Sequence, residues 1–286
     1  MKIAIIGANG QLGTDLSEVL SAEHEVTGLV HADIEITDIN DVKKVLGSVK
    51  PAIVLNAAAY NQVPQAEQHP ELAFRINATG PLNLAKVCED LKIKLVHFST
   101  DYVFDGTKQK PYTENDLPNP LNVYANTKLS GEYFVRNYCP ASFVIRVSGI
   151  YGKIPSRSKG GNFITTILKS AAEKPEVKVV NDEILTPTPT YHIAKNTALL
   201  IKTGSFGLYH MSCGGQTSWY EFAKLIWESL QIKTPLQAVS VKDFPSAVRR
   251  PFYSVLENQN LKTAGMYRMP DWKEGLVEFL KHSKFS

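Results

Sequence analysis

The sequence predicts an α/β fold: a doubly wound, Rossmann-like parallel sheet joined to a smaller, irregular α/β lobe. Three observations carry that prediction. Short apolar runs alternate with amphipathic stretches of helical period over about the first 150 residues. Those runs are apolar on both faces, as strands covered by helices on both sides must be. The first run also ends in a glycine cluster, Gly7, Gly10 and Gly13, from which the first helix starts.

The elements follow in order. Lys2 to Ile6 reads as a strand, Gln11 to Ala22 as a helix and Glu25 to Val30 as the second strand. Asp38 to Ser48 is a helix, Ala52 to Asn56 an apolar strand, and Pro70 to Leu91 keeps helical period throughout. Lys94 to Ser99, the helix Leu121 to Tyr138 and the strand Phe143 to Val147 complete the series. Beyond Gly149 the pattern changes. Pro155 to Gly161 is loop-like and basic, and the two prolines of Ile184 to Thr190 exclude a helix interior. Three more helices are expected over Asn162–Ala172, Tyr191–Lys202 and Ser218–Ser229, with a strand at Gly207–Met211. Residues 1–150 together with about 188–213 form a dinucleotide-binding domain on this reading, and about 151–187 and 214–286 form the second lobe.

Composition narrows the function classes. With 43% hydrophobic and 21% charged residues in 286, there is apolar mass for a sizeable core. A net charge of +3 is spread along the chain, which argues against nucleic acid or a membrane surface as partner. No apolar run approaches the roughly 18 residues of a membrane helix. Cys88, Cys139 and Cys213 are far apart and lack metal-ligand spacing, so buried free thiols are expected, as in a cytoplasmic protein without a metal site.

The glycine turn has the spacing Gly-x-x-Gly-x-x-Gly. Its first glycine permits a tight turn, its second lets backbone approach a diphosphate, and its third lets helix and strand pack closely. Asn9, Gln11 and Leu12 belong to the same turn, where free N–H groups and the helix dipole favour an anion. A purely structural strand-to-helix turn is the competing account, and its place at the head of a βαβ series favours a dinucleotide. The end of the second strand carries neither the acid expected for NAD nor an arginine for NADP. His31 stands there, as a phosphate contact or a solvated loop histidine, so the choice stays open with a lean to NADPH over NADH. Glu35 or Ile36 is the expected adenine contact. In the stretch from Asn56, the small Ala57, Ala58 and Ala59 would let backbone pass near the cofactor ribose, or simply pack tightly.

Tyr124 precedes Lys128 by one helical turn. A surface helix gains little from that pair, since a carboxylate is the usual partner of a lysine at that spacing. Reduction of a ketone, however, needs a hydride and a proton. A phenol with a pKa of about 10 exchanges protons reluctantly near neutrality, and a neighbouring ammonium would bring it down. The same ammonium could hydrogen-bond a nicotinamide ribose. A third hydroxyl is expected at the preceding strand end, where Ser99 and Thr100 stand.

With these residues the chain resembles the extended short-chain dehydrogenase/reductases. The segments "GQLG", "NAAAY", "STDYVFDG", "TKLSGE", "GGNFI", "TPT", "TSWYEFA" and "RRPFYSVLEN" resemble, within that superfamily, the dTDP-4-dehydrorhamnose reductases, from Lys2 to roughly Leu280. The resemblance implies Thr100, Tyr124 and Lys128 as catalytic triad, with Tyr124 the general acid, and hydride delivery to the C4 ketone of a nucleotide sugar. It also implies Asn162, Phe163, Thr188, Trp219 and Arg250 as substrate-binding residues. Each has a plainer alternative: Asn162 as a helix cap, Phe163 and Trp219 as core, Arg250 as a surface residue, and Asp101, beside Thr100, as a loop cap rather than a sugar contact. The chain departs from the family pattern at Asn61, Gln62 and Pro64, at Gly149 where a tryptophan is usual, and at Glu183 and Leu185 in "DEILTPT". These departures bear on which 4-keto sugar is used.

Two other readings share the fold. An epimerase or dehydratase of the superfamily would carry an acidic pair after Thr100, and here Tyr102 follows Asp101. A non-catalytic NADP-binding subunit, like the regulatory beta subunit of methionine adenosyltransferase, would keep the triad. Trp219 with Arg250 favours the enzyme. Homodimers are common in the superfamily, though no seam of this sequence demands one.

Overall fold

Strand β1 (Lys2–Ile6) shows how the sequence builds the sheet: Ile3 and Ile5 point into one apolar layer, while Ala4 and Ile6 point into another. Successive side chains of a strand face opposite ways, so a strand with a core on each side must be apolar at every position. The same division recurs in β3 (Ile53–Asn56), β4 (Lys94–Thr100) and β5 (Ser142–Val147). The computed structural model describes residues 1–154, 160–243 and 248–282. The basic loop expected at Pro155 to Gly161 falls, over 155–159, outside them.

With β2 (Glu25–Leu29) and a later strand, Gly207–His210, these strands form a six-stranded parallel sheet, as the sequence predicts. Helix α1 (Gln11–Leu20) covers one face; α2 (Ile39–Val49), α5 (Gly80–Leu91) and α6 (Val123–Tyr138) cover the other. The turn after β3 leads into two short helices, α3 (Val63–Gln68) and α4 (Pro70–Phe74). The periodic run from Pro70 to Leu91 is interrupted by a π-helical turn at Arg75–Thr79. That turn carries Asn77, which accepts from the Tyr60 N–H at 2.8 Å and donates to Tyr60 O and Thr127 Oγ1. Helix α5 is thereby tied to α6 and to the loop after β3, a tertiary demand invisible to periodicity.

The second lobe starts with β6 (Ile150–Tyr151) and α7 (Phe163–Glu173), then β7 (Val177–Val180), β8 (Ile184–Leu185) and β9 (Thr188–Pro189). Helix α8 (Thr190–Leu200) packs on α1, and β10 (Gly207–His210) pairs along β5, returning the chain to the large sheet. After β11 (Thr217–Ser218) and α9 (Trp219–Leu230), β12 (Leu236–Val239) pairs with β7 in a two-stranded parallel ladder absent from the sequence reading. Helices α10 (Gln259–Thr263) and α11 (Trp272–His282) were likewise not anticipated. Trp272, Leu276 and Phe279 of α11 are buried in the same layer as Tyr151 and Phe222, a layer continuous with one face of the large sheet. Among the described residues, no helix is long and apolar enough to cross a membrane, and all three cysteines are free and buried.

Candidate active site

Parallel strands that end on one side of a sheet leave a crevice at their carboxyl ends. Here the crevice is a cleft of about 1750 Å³ running from the β1–α1 turn to the second lobe. Its near wall is the glycine turn. Gly7 has φ +77°, and a Cβ there would lie 2.9 Å from the Ala58 nitrogen. At Gly13 a Cβ would sit 2.1 Å from the Gly7 carbonyl oxygen. Helices α2, α6, α7 and α9 start on a side chain that accepts an N–H of the first turn; α1 starts on Gly10, which has none, and has no acid in its first turn. An anion is the partner this helix start fits, so the turn suits a dinucleotide diphosphate.

Gly7, Asn9, Gly10, Gln11 and Leu12 line the cleft. Gly13 does not: it is buried and serves the close approach of α1 to the turn. Ala57, Ala58 and Ala59 also line it, whereas Asn56 lies beneath, corrected from contact to support. Asn56 Oδ1 accepts the Ala58 N–H at 3.2 Å and its Nδ2 faces His97 Nδ1 at 3.2 Å, so it shapes the turn from below. At the far end stand His31, Glu35 and Ile36, with Thr37 and Arg75, two residues the sequence reading passed over. His31 Nε2 lies 3.1 Å from Glu35 Oε2. Glu35 also accepts the Thr37 N–H at 2.8 Å, which with smaller contributions from His31 holds its pKa below the ordinary value.

The catalytic candidates converge where β4 ends. Tyr124 is hydrogen-bonded with Thr100 and meets Tyr102 edge-on, ring centroids 6.2 Å apart. Burial pushes the Tyr124 phenol up to about 12, against the opposing pull of the Thr100 bond. The sequence-based expectation that Lys128 draws this phenol down is therefore corrected. Lys128 is 3% exposed and its Nζ donates to Phe98 O at 2.7 Å; burial brings it down to about 8, partly offset by Glu132. Tyr124 is thus firmly protonated at neutral pH, and Lys128 is the group nearer its titration point. Ser99 lines the cleft, but its hydroxyl donates to Glu132 Oε1 at 2.5 Å.

Asp101 is 3% exposed and accepts three hydroxyls: Thr100 at 3.1 Å, Ser148 at 2.9 Å and Ser254 at 2.6 Å. Burial raises its pKa, with these bonds opposing the rise. It joins the end of β4 to the segment after β5 and to the C-terminal region, a role beyond capping its own loop. Asn162 forms a reciprocal cap at the start of α7 while its Nδ2 donates to Gln11 Oε1 at 3.1 Å and Gly152 O at 3.2 Å. The side chain is therefore committed within the protein and ties the two halves of the cleft together. Thr188, expected to bind substrate, is fully buried and outside the cleft lining; it donates to Thr186 O at 3.0 Å and accepts the Cys213 N–H at 3.2 Å, a supporting position.

Phe163 and Trp219 line the far wall with centroids 4.5 Å apart at 30°, and Trp219 is hydrogen-bonded with Glu183. Burial raises Glu183, while the Arg250 charge pulls it back. Arg250 also acts on the buried phenol of Tyr102, and its Nε is buried with no hydrogen-bond partner among the described residues. Arg250 lines the cleft, and a guanidinium with an unsatisfied N–H there suits an anionic ligand. Two of the departures from the family pattern touch each other: a Cβ on Gly149 would lie 2.8 Å from Leu185 Cδ1. Leu185 occupies space that a large side chain at 149 would need.

The family described as the RmlD substrate binding domain matches residues 1–285. A spore coat polysaccharide biosynthesis protein of Bacillus subtilis (strain 168) is 37% identical over 98% of this chain and 97% of its own. The dTDP-4-dehydrorhamnose reductase of Escherichia coli (strain K12) is 34% identical over the same shares. A dTDP-4-dehydrorhamnose reductase of Bacillus anthracis str. Ames, solved in complex with NADP, is 37% identical and superposes with a TM-score of 0.94 over 99% of each chain.

Proposed function

The chain belongs to the RmlD substrate binding domain family, and from that premise we propose that it is an NADPH-dependent reductase of the C4 ketone of dTDP-4-dehydro-L-rhamnose, forming dTDP-L-rhamnose in the cytoplasm. The observation that carries the reading is the placement of Thr100, Tyr124 and Lys128 in the same cleft as the glycine turn. NADPH held along that turn would supply the hydride, and NADH would supply the same chemistry.

The chain's own residues do the rest. On this reading Thr100 and Tyr124 turn their hydroxyls from Asp101 and from each other to hold the C4 oxygen. As hydride arrives at C4, the carbonyl π pair moves to oxygen, and the Tyr124 phenol gives that oxygen its proton. A phenol with a raised pKa transfers its proton only when the acceptor becomes strongly basic, which is the condition of an oxygen turning into alkoxide. In the same reading Lys128, charged below about pH 8 and bonded to the Phe98 carbonyl without ligand, turns to the resulting phenolate and stabilises it. On the sugar-nucleotide side, Arg250, Phe163 and Trp219 all line the cleft, and we assign the diphosphate to Arg250 and the flat base to Phe163 with Trp219. Lys178, Lys242 and Arg249 along the same wall add positive charge that suits a dianionic diphosphate.

The facing pair Gly149 and Leu185, with Glu183 nearby, favours one second reading, a related nucleotide-linked 4-keto-6-deoxyhexose as the natural substrate. The test follows NADPH oxidation with dTDP-4-dehydro-L-rhamnose made in situ by its preceding enzymes. Turnover is expected. Tight NADPH binding without turnover on this sugar, but with turnover on another keto sugar, would move the assignment to the second reading. Binding without turnover across a panel of such sugars would overturn the enzyme reading.

A further inference from the structure

The end of β4 is fastened to α6 at three consecutive residues. Phe98 O accepts from Lys128, the Ser99 hydroxyl donates to Glu132, and Thr100 is hydrogen-bonded with Tyr124. The partners on α6 are spaced four residues apart, so one helical face carries all three. Two of these links belong to the proposed reaction site; in the middle one Ser99 lines the cleft, while Glu132 behind it is fully buried and absent from the lining.

Glu132 is itself held from the opposite side. Arg146, on β5 directly beside Ser99 in the strand register, donates from Nε to both carboxylate oxygens at 3.0 and 3.1 Å and from Nη2 to Oε2 at 2.7 Å. The guanidinium lies over the Phe104 ring, 5.1 Å from its centroid, and its Nη1 is 3.5 Å from His210 Nε2. His210 Nδ1 donates to Tyr112 O and Glu257 O, and burial with the Arg146 charge holds this imidazole down to about 3, so it is neutral. Arg146 is 2% exposed. A buried pair of this kind is a costly feature that a hydrophobic pair of similar volume often matches in stability, so its place beside the reaction site calls for a role other than stability.

We propose that Glu132, clamped by Arg146, is a positioning residue of the redox site: it locks the strand end that carries Thr100 to α6 and supplies the negative charge that keeps Lys128 an ammonium. The inference rests on the reductase reading for its kinetic consequence alone. The groups around Lys128 allow it. Glu132 lies one turn along α6 and raises the Lys128 pKa. From β4, His97 is fully buried and held well below its ordinary value, first by burial and then by Lys128, so it brings no charge. From β5, Arg146 is spent on Glu132. Asp101, beyond the end of β4, acts on Tyr124 rather than on Lys128. Glu132 is therefore the anion that opposes the loss of the Lys128 proton.

The test compares wild type with Glu132→Gln, which keeps the shape and an acceptor for Ser99 but removes the charge. The Lys128 side-chain carbon resonance, identified by its absence in Lys128→Met, is titrated by NMR in the protein without added ligand. The alkaline limb of kcat is measured in parallel. Both midpoints are expected to fall by about one pH unit, a ten-fold loss in proton affinity. Ser99→Ala, which retains both charges, should leave the resonance midpoint in place. If Glu132→Gln does not fold, Glu132→Gln/Arg146→Gln leaves neither charge buried alone, and the same downward shift is expected. An unshifted Lys128 midpoint in the folded variant overturns the proposal, as does an equal shift in Ser99→Ala. A shifted resonance in a chain that turns over no keto sugar would leave Glu132 in its role and defeat the reductase reading instead.

Discussion

At the scale of single residues, the proposed proton supply divides between two groups that a helical turn separates. Tyr124 is the proposed donor and Lys128 the proposed charge beside it; without ligand the lysine bonds to the Phe98 carbonyl rather than acting on the phenol. Tyr124→Phe removes the donor and leaves the glycine turn untouched. We expect kcat to fall by about a hundred- to ten-thousand-fold, with NADPH affinity, read by fluorescence titration, nearly unchanged; an unreduced kcat would remove Tyr124 from the mechanism. The pH dependence follows from the same two residues. Tyr124, pushed up to about 12, stays protonated throughout the accessible range, whereas Lys128, brought down to about 8, loses its charge above that pH. Activity should therefore decline through an alkaline limb near pH 8, and Lys128→Met should abolish that limb while lowering both kcat and NADPH affinity. A wild-type profile flat to pH 10 would show that the Lys128 charge is not needed.

At the scale of elements, the β1–α1 turn works by close approach. The Gly13 position leaves no room for even a methyl group against the Gly7 carbonyl. Gly13→Ala must lever the start of α1 away from the turn. Overpacking of this kind costs about 1–3 kcal/mol, and the displaced N–H groups should weaken NADPH binding at the same time. Calorimetry with and without NADPH would show both effects; a variant with unaltered thermal midpoint and affinity would mean that the helix start adapts freely. Helix α6 is the second decisive element. Its Asn122 cap accepts the Ala125 N–H at 2.9 Å and donates to Arg249 O at 2.9 Å, so the start of the helix that carries Tyr124 is fixed to the neighbour of Arg250. The start of α6 and the Arg249–Arg250 segment are thereby joined by one side chain.

At the scale of the whole molecule, buried polar links hold together parts of the chain that are remote in sequence. Asp101 reaches Ser254, Asn162 reaches Gln11, and Arg146 connects Glu132 to His210. Each joins the sheet to the second lobe, to the C-terminal segment or to its own outer strand. Arg146→Met leaves the Glu132 carboxylate buried without its cation, and a loss of about 3–5 kcal/mol in unfolding free energy is expected. Denaturant unfolding should show it as a lower midpoint, and a change under about 1 kcal/mol would show that the pair is far more hydrated than its burial indicates.

By itself the sequence determined the doubly wound sheet and the glycine turn, and pointed to Thr100, Tyr124 and Lys128, because each is a local pattern. An apolar strand run, a turn that only glycine fits, and two side chains one helical turn apart are written in contiguous residues. The π-helical turn at Arg75–Thr79, the β7–β12 ladder and helix α11 were not legible, since each exists to satisfy a partner distant in the chain. The tertiary structure alone decided which candidates face the cleft. It moved Thr188, Asn56 and Gly13 into supporting positions, brought Arg75, Tyr102 and Glu183 to the cleft, and placed Leu185 against Gly149. It also decided the charges, raising Tyr124 and lowering Lys128. The physical reason is that burial and opposing charge depend on what packs around a group in space, and spacing along the chain carries no record of that.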